Sequence, residues 1–303
     1  MADLTAVLGP LKLPNPVLVA SGTFGYGEEY GTYIDLNQLG GLVVKGTTLH
    51  PRGGNRPPRI VETPAGLLNS VGLQNPGVDA VIREELPKLT GLKCPVIVNI
   101  AGSTVGEYAE VAARLNGQPS VAALEINISC PNVEEGGLAF GTDPVMVRDV
   151  VQAVREATTL PLICKLSPNV GDIVQIAEAA VEGGAQILSL INTVLGMSID
   201  VQARRPVLAN TFGGLSGPAI RPIALRMVWE VYAALRVPII GMGGITSGQD
   251  ALEFILAGAG AIAVGSANFV DPRISVRIIR ELEAYIESQG LDGLSSLVGA
   301  AHP

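Results

Sequence analysis

Eight short apolar runs recur along this chain, at 17–20, 41–45, 95–99, 123–127, 161–165, 186–190, 238–241 and 261–264, with stretches of helical periodicity between them. Runs this continuous suit strands buried on both faces, the condition of a parallel sheet covered by helices. The helical patterns fall at 79–89, 106–115, 143–157, 172–182, 218–235, 247–257 and 272–288. Several of their starts carry a chemical signal. Ser247 with Asp250 three residues on is arranged like a capping box, and Asp143-Pro144 and Asp271-Pro272 each place an N-cap before a proline at the first helical position. Eight strands alternating with helices over about 250 residues favour a (β/α)8 barrel over an open doubly wound sheet.

The 303 residues would make two domains at about 150 residues each, but the alternation runs throughout, so one domain over 1–303 is expected. Residues 1–16 read as a short hairpin able to plug the barrel's bottom. Residues 46–78, rich in Pro, Gly and Asn, form a long excursion after the second strand, and such excursions usually build a site. Further excursions follow strands four and six. The latter, 193–217, carries Arg204-Arg205-Pro206 and Gly213-Gly214 and is expected to form an extension or a subunit contact.

Composition removes several function classes. With 48% hydrophobic and 16% charged residues the chain can fill a large core and is no disordered tail. The 20 Lys+Arg against 28 Asp+Glu leave a net −8 with no basic run, which argues against a nucleic-acid partner. No apolar stretch approaches the ~20 residues of a membrane span. Met1-Ala-Asp-Leu-Thr5 has an acid where a signal peptide needs positive charge, so a cytoplasmic protein without membrane contact is expected. Cys94, Cys130 and Cys164 are odd in number and widely spaced, which suggests neither a disulfide framework nor a zinc or iron–sulfur site on this chain.

Barrel chemistry sits at the C-terminal ends of the strands. Here strand one ends in Ala20-Ser21-Gly22, strand two in Lys45-Gly46, strand three in Asn99, strand four in Asn127, strand five in Lys165 and strand six in Asn192. A lysine closing an apolar strand costs desolvation unless it meets an anion or an electron-rich ligand. Lys45 and Lys165 therefore read either as side chains snorkelling to solvent or as groups aimed at a ligand, as cations or as Schiff-base nucleophiles. Cys130, in Asn127-Ile-Ser-Cys-Pro-Asn132, reads either as a small hydrophobe, like Cys94 and Cys164 inside their strands, or as a reactive thiol on a loop. As a base it would favour alkaline conditions, since a free thiol titrates near pH ~8.5.

Gly241-Met-Gly-Gly-Ile-Thr246 and Gly265-Ser266 follow strands seven and eight, where backbone N–H groups of such barrels commonly bind phosphate. Gly258-Ala-Gly-Ala-Ile-Ala263 matches a dinucleotide fingerprint but precedes a strand, so its context is wrong. His50 and His302 are the only histidines and neither lies near a GxSxG elbow, which argues against a Ser-His-Asp hydrolase, and no paired His and carboxylate cluster offers a catalytic metal site. A phosphate-bearing organic cofactor best explains the rim.

Val44-Lys-Gly-Thr-Thr48, Asn69-Ser-Val-Gly-Leu-Gln-Asn75, Asn127-Ile-Ser-Cys-Pro-Asn132, Cys164-Lys-Leu-Ser-Pro168, Gly241-Met-Gly-Gly244 and Val264-Gly-Ser266 resemble, in order and over almost the whole chain, the FMN-dependent dihydroorotate dehydrogenases. Cysteine in the catalytic loop marks the soluble class 1 of that family. The Lys-Gly-Thr-Thr and Gly-Leu-Gln-Asn wording is similar to the type 1B catalytic subunit, which passes electrons to an FAD and iron–sulfur partner and then to NAD.

The resemblance implies oxidation of dihydroorotate to orotate in pyrimidine (UMP) synthesis, with a role for each rim group. Cys130 would be the general base at C5, while the C6 hydride passes to flavin N5. Asn69, Asn127, Asn132, Asn192 and Thr193 would hold the substrate, with the backbone of Ser70, Val71, Gly72 and Leu73. Lys45 would lie between substrate and flavin. Ala20, Ser21, Gly46, Asn99 and Asn127 would contact the cofactor, Lys165 would lie near flavin N1 and O2, and Ile191 and Gly217 would flank the ring system. Gly243, Gly244, Gly265 and Ser266 would bind the phosphate. FAD and a [2Fe-2S] cluster would reside on a partner subunit, with a homodimer of this chain inside a heterotetramer. The rival expectations are a type 1A fumarate-reducing homodimer, a barrel lyase forming a Schiff base on Lys45 or Lys165, and a non-catalytic scaffold.

Overall fold

A computed structural model describes residues 3–129 and 140–303 of the chain. Eight parallel strands close into a barrel in chain order. They are β1 (Val17–Val19), β2 (Gly41–Thr47), β3 (Val96–Ile100), β4 (Ala123–Asn127), β5 (Leu162–Lys165), β6 (Ile187–Leu190), β7 (Ile239–Met242) and β8 (Ala261–Val264). Closure comes from β8 pairing with β1, Val264 opposite Val19. Alternate side chains point inward. Val43, Ile97, Ile163, Ile187 and Ile240 form an axial core, while the outward faces pack beneath the helices in a second, larger cluster.

The N-terminal hairpin, Ala6–Leu8 against Leu11–Leu13, puts Leu8, Leu11 and Leu13 into the axial core and so stoppers the barrel. The covering helices include α1 (Val105–Leu115), α2 (Pro144–Ala157), α3 (Ile173–Glu182), α4 (Arg221–Leu235), α5 (Gly248–Leu256) and α6 (Ile274–Gln289). Asp143 caps α2 by accepting from Val145 N and Met146 N, with Pro144 at the first position as expected. Ser247 caps α5 by accepting from Asp250 N. The Asp250 carboxylate does not return to the cap. It accepts from Thr246 N and Thr246 Oγ1, both at 2.8 Å, and pairs with Arg221.

Two local expectations need correction. The single helix expected over 79–89 is instead an α-turn (Val78–Ala80), a π-turn (Val81–Glu85) and a 3₁₀ turn (Leu86–Leu89). Pro87 lacks the N–H that would continue the ladder and its ring crowds the carbonyl four residues back. Asp271 is not the N-cap of the last helix, which starts at Ile274 with Arg273 at the cap position. The Asp271 carboxylate closes a turn ahead of it, accepting from Arg273 N at 2.9 Å, and binds Arg277 at 2.8 Å.

The excursions after β2 and β6 are one structure. Val194–Met197, Phe212–Ser216, Gly66–Asn69 and Ile60–Thr63 pair in that order as a four-stranded antiparallel sheet. Segment 193–217 is thus half of this sheet, carrying a second small hairpin, Ile199–Asp200 with Arg205–Pro206. The excursion after β4 runs mostly through 130–139, so Cys130 and Asn132 lie outside the described residues. Among the described residues no helix is long and apolar enough to cross a membrane.

Candidate active site

The C-terminal ends of the strands and the excursion sheet enclose a cavity of about 1160 Å³. Lys45 and Gly46 reach it through a register shift. Val44 pairs with Val98 and Thr47 with Ile100, so β2 spends one more residue than β3 over that span. Such a bulge re-aims side chains at a rim.

Lys165 closes β5 and is 6% exposed. Its Nζ lies 3.4 Å from Ser21 Oγ and 4.0 Å from Glu125 Oε2, leaving donor capacity toward the cavity. The two asparagines ending β4 and flanking β6 are tied together. Asn192 Nδ2 donates to Ser129 Oγ at 2.7 Å and to Asn127 Oδ1 at 3.3 Å, while Asn192 Oδ1 accepts from Thr193 N at 2.8 Å. Tyr108, wholly buried, donates its hydroxyl to Asn127 O at 2.7 Å and fixes the strand end from behind. Asn69 Nδ2 bonds Gly214 O at 3.3 Å across the excursion sheet. Ser70 Oγ is buried and has no partner. A lone buried hydroxyl costs free energy that a ligand's polar group would recover.

After β7, Gly243 and Gly244 have φ of 130° and 76°, conformations other residues avoid. A Cβ on Gly244 would stand 2.7 Å from Gly217 O, so the two loops touch backbone to backbone. Arg221, Asp250 and Thr246 brace this turn from the protein side. Gly265 and Ser266 follow β8 into the short helix Ala267–Val270. Together these turns make a backbone-lined cradle suited to an anion.

Every site residue expected from the sequence, apart from Cys130 and Asn132, lines this one cavity. The donor set fits FMN: a glycine cradle for the phosphate, amides and a hydroxyl for the heterocycle edges, and a buried ammonium for negative charge. Among the described residues no cluster of His, Cys, Asp or Glu could hold a metal ion. Cys94 and Cys164 are buried inside the protein. Burial pushes the Cys94 thiol up to about 11 and drives the Cys164 thiol upward as well, so neither is a neutral-pH nucleophile.

Sequence reasoning missed Glu125 and Ser189, which sit beneath the cavity floor. Glu125 Oε2 accepts from Asn99 Nδ2 at 2.7 Å and Oε1 accepts from Ser189 Oγ at 2.8 Å. The available signal was a carboxylate inside an apolar strand, two residues before Asn127 and therefore on the same face. Arg52 and Asn55 also line the cavity from the first excursion, and no pattern had marked them.

A family model for dihydroorotate dehydrogenase matches residues 4–286. The chain is 61% identical over 299 residues to the dihydroorotate dehydrogenase B (NAD(+)) catalytic subunit of Desulforudis audaxviator, covering 98% of this chain and 97% of that protein. It is 57% identical over 300 residues to the subunit of the same description from Desulforamulus reducens, covering 99% of each. With the one from a Geobacter species it shares 55% over 298 residues, 98% of each.

Proposed function

The chain belongs to the dihydroorotate dehydrogenase family, and from that premise we propose how its rim residues divide the work. The reaction is oxidation of dihydroorotate to orotate in pyrimidine (UMP) synthesis, of the NAD-linked type, with a separate electron-transfer subunit. FMN belongs on this chain, FAD and a [2Fe-2S] cluster on the partner. We place two copies of this chain in a cytoplasmic heterotetramer, as one domain over 1–303 each.

The cavity would hold the FMN phosphate on the backbone of Gly243, Gly244, Gly265 and Ser266, with Ala20, Ser21, Gly46, Asn99, Ile191 and Gly217 around the ring system. When bound, FMN supplies the two-electron acceptor for the hydride leaving C6 of the substrate. Lys165 would supply fixed positive charge toward the cofactor, a preorganised contribution that needs no rearrangement. Asn69, Asn127, Asn192 and Thr193, with Asn132, orient the substrate's amide and carboxylate edges, and the 70–73 backbone adds donors. Lys45, which lines the same cavity, would lie between substrate and cofactor. Cys130 takes the C5 proton as thiolate while the C5–C6 double bond forms.

The observation that best supports this reading is the convergence of Lys45, Asn99, Lys165 and Asn192 from four separate strand ends on the cavity that Gly243 and Gly244 border. Its test is an anaerobic absorbance spectrum near 450 nm of the purified chain before and after dihydroorotate. Bleaching of a flavin band is expected. A chain that takes up no FMN, or a flavin that stays oxidised with dihydroorotate, would refute it.

A further inference from the structure

One buried acid remains without a role in this scheme. Glu125 is 1% exposed, inside a barrel whose neighbouring axial positions are Ile97, Ala123, Ile163 and Ile187. A carboxylate there costs far more than an isoleucine unless it is fully engaged. It is engaged on three sides, by Asn99 from β3 at 2.7 Å, by Ser189 from β6 at 2.8 Å, and by the Lys165 ammonium from β5 at 4.0 Å. Two of these three, Asn99 and Lys165, line the cavity, whereas Glu125 and Ser189 do not.

Both oxygens of this carboxylate accept hydrogen bonds, Oε2 from Asn99 and Oε1 from Ser189, so it dictates how its neighbours point. The Asn99 amide must give its nitrogen to Glu125. Its oxygen then faces Gly46, where an added Cβ would meet it at 3.0 Å. The ammonium of Lys165 is drawn toward the carboxylate yet stops at the edge of ion-pair distance, so its charge is held in place and only partly offset.

Resting on the FMN reading above, we propose that Glu125 is a positioning residue of the flavin site, anchoring Asn99 and Lys165 from below and limiting how strongly the site stabilises reduced flavin. A site that held the reduced form too tightly would pass electrons poorly to an acceptor chain ending at NAD. The negative charge beneath Lys165 counters the attraction of that lysine for the charge acquired on reduction. Removing it moves the flavin equilibrium toward the reduced form.

The test uses the FMN-loaded chain and Glu125→Gln. This variant is nearly isosteric, and its amide can accept from Asn99 while donating to the Ser189 hydroxyl. The midpoint potential is read by anaerobic dye titration and the FMN dissociation constant by flavin fluorescence. The expected result is a shift of about tenfold toward reduced flavin, about 30 mV positive for a two-electron couple, with oxidised-FMN affinity within about threefold of wild type. In a Lys165→Met background the same substitution should shift the equilibrium by less than about threefold, because the effect acts through the lysine. Glu125→Asp, which withdraws the charge, should give a smaller shift of the same sign.

Lower thermal stability or FMN affinity without a change in potential would make Glu125 merely structural and overturn the proposal. So would failure of both variants to bind FMN while the wild type binds it. A wild-type chain that binds no FMN refutes the underlying function reading instead.

Discussion

The side chain of Asn75 closes on Thr48, accepting from Thr48 N at 3.2 Å and donating to Thr48 Oγ1 at 2.8 Å. The same amide donates to Leu73 O at 2.7 Å and accepts from Gly77 N at 2.9 Å. Two motifs that resemble family signatures, Lys-Gly-Thr-Thr and Gly-Leu-Gln-Asn, are therefore joined by one buried side chain. Its work is structural: it pins the excursion after β2, and with it the 70–73 backbone, against the end of the strand. Asn75→Leu should cost about 2–4 kcal/mol, because it strands several buried donors and acceptors at once. Urea unfolding of the two proteins checks this, and a loss below about 0.5 kcal/mol would mean the bonds are replaced by water.

Gly244 carries the second prediction. Its φ of 76° is unfavourable for alanine, and the added methyl would meet Gly217 O at 2.7 Å and Arg221 Cβ at 2.9 Å. Neither obstacle is the end of a flexible side chain. Gly244→Ala should push the turn out of place and weaken FMN binding about tenfold or more, at a strain of order 1–3 kcal/mol. Fluorescence titration of the apoprotein with FMN reads this directly, and unchanged affinity would remove this turn from the cofactor site.

The barrel was legible because parallel strands buried on both faces leave unbroken apolar runs, and the polar residue ending each run marks the rim. Lys165 and Asn99 stood out for that reason. Glu125 did not, because it lies inside its run, where one charge in an apolar strand reads as a fault in the pattern. The pairing of the two excursions was hidden for a different cause. Gly66–Asn69 meets Phe212–Ser216 across more than 140 residues, as in the Asn69–Gly214 contact, and period-two patterning over four or five residues carries no information about a distant partner. The Asp271 cap failed because an Asx turn and an N-cap use the same side chain and the same spacing.

The buried thiols impose a pH dependence on stability. Cys94 titrates at about 11 in the folded protein instead of 9.0, chiefly through desolvation. Above pH 9 the unfolded chain has lost a proton that the folded chain keeps, so unfolding becomes progressively more favourable as pH rises from 9 toward 11. The contribution is present below pH 9 and lost through that window, by about 2 kcal/mol for a shift of this size. Cys164 acts in the same direction. Denaturant unfolding from pH 8 to 10.5 should show falling stability in the wild type and a shallower fall in Cys94→Ala. Parallel curves would show that the Cys94 thiol is not held protonated.

Cys130 is the last and sharpest case. If it is the base at C5, then Cys130→Ala should retain FMN and lose about 10²- to 10⁴-fold in flavin reduction by dihydroorotate, the range that one positioned base contributes. The burial of Cys94 and Cys164 gives an independent check. Neither can compete as a thiolate near pH 8, so iodoacetamide on the native protein should modify the peptide containing Cys130 alone and abolish turnover in step with labelling. Dihydroorotate should protect against it. Stopped-flow reduction and peptide mapping together decide the point, because a base can be lost without losing the flavin, whereas a structural cysteine would take the flavin with it. A variant that reduces its flavin at near the wild-type rate would leave proton removal to another group.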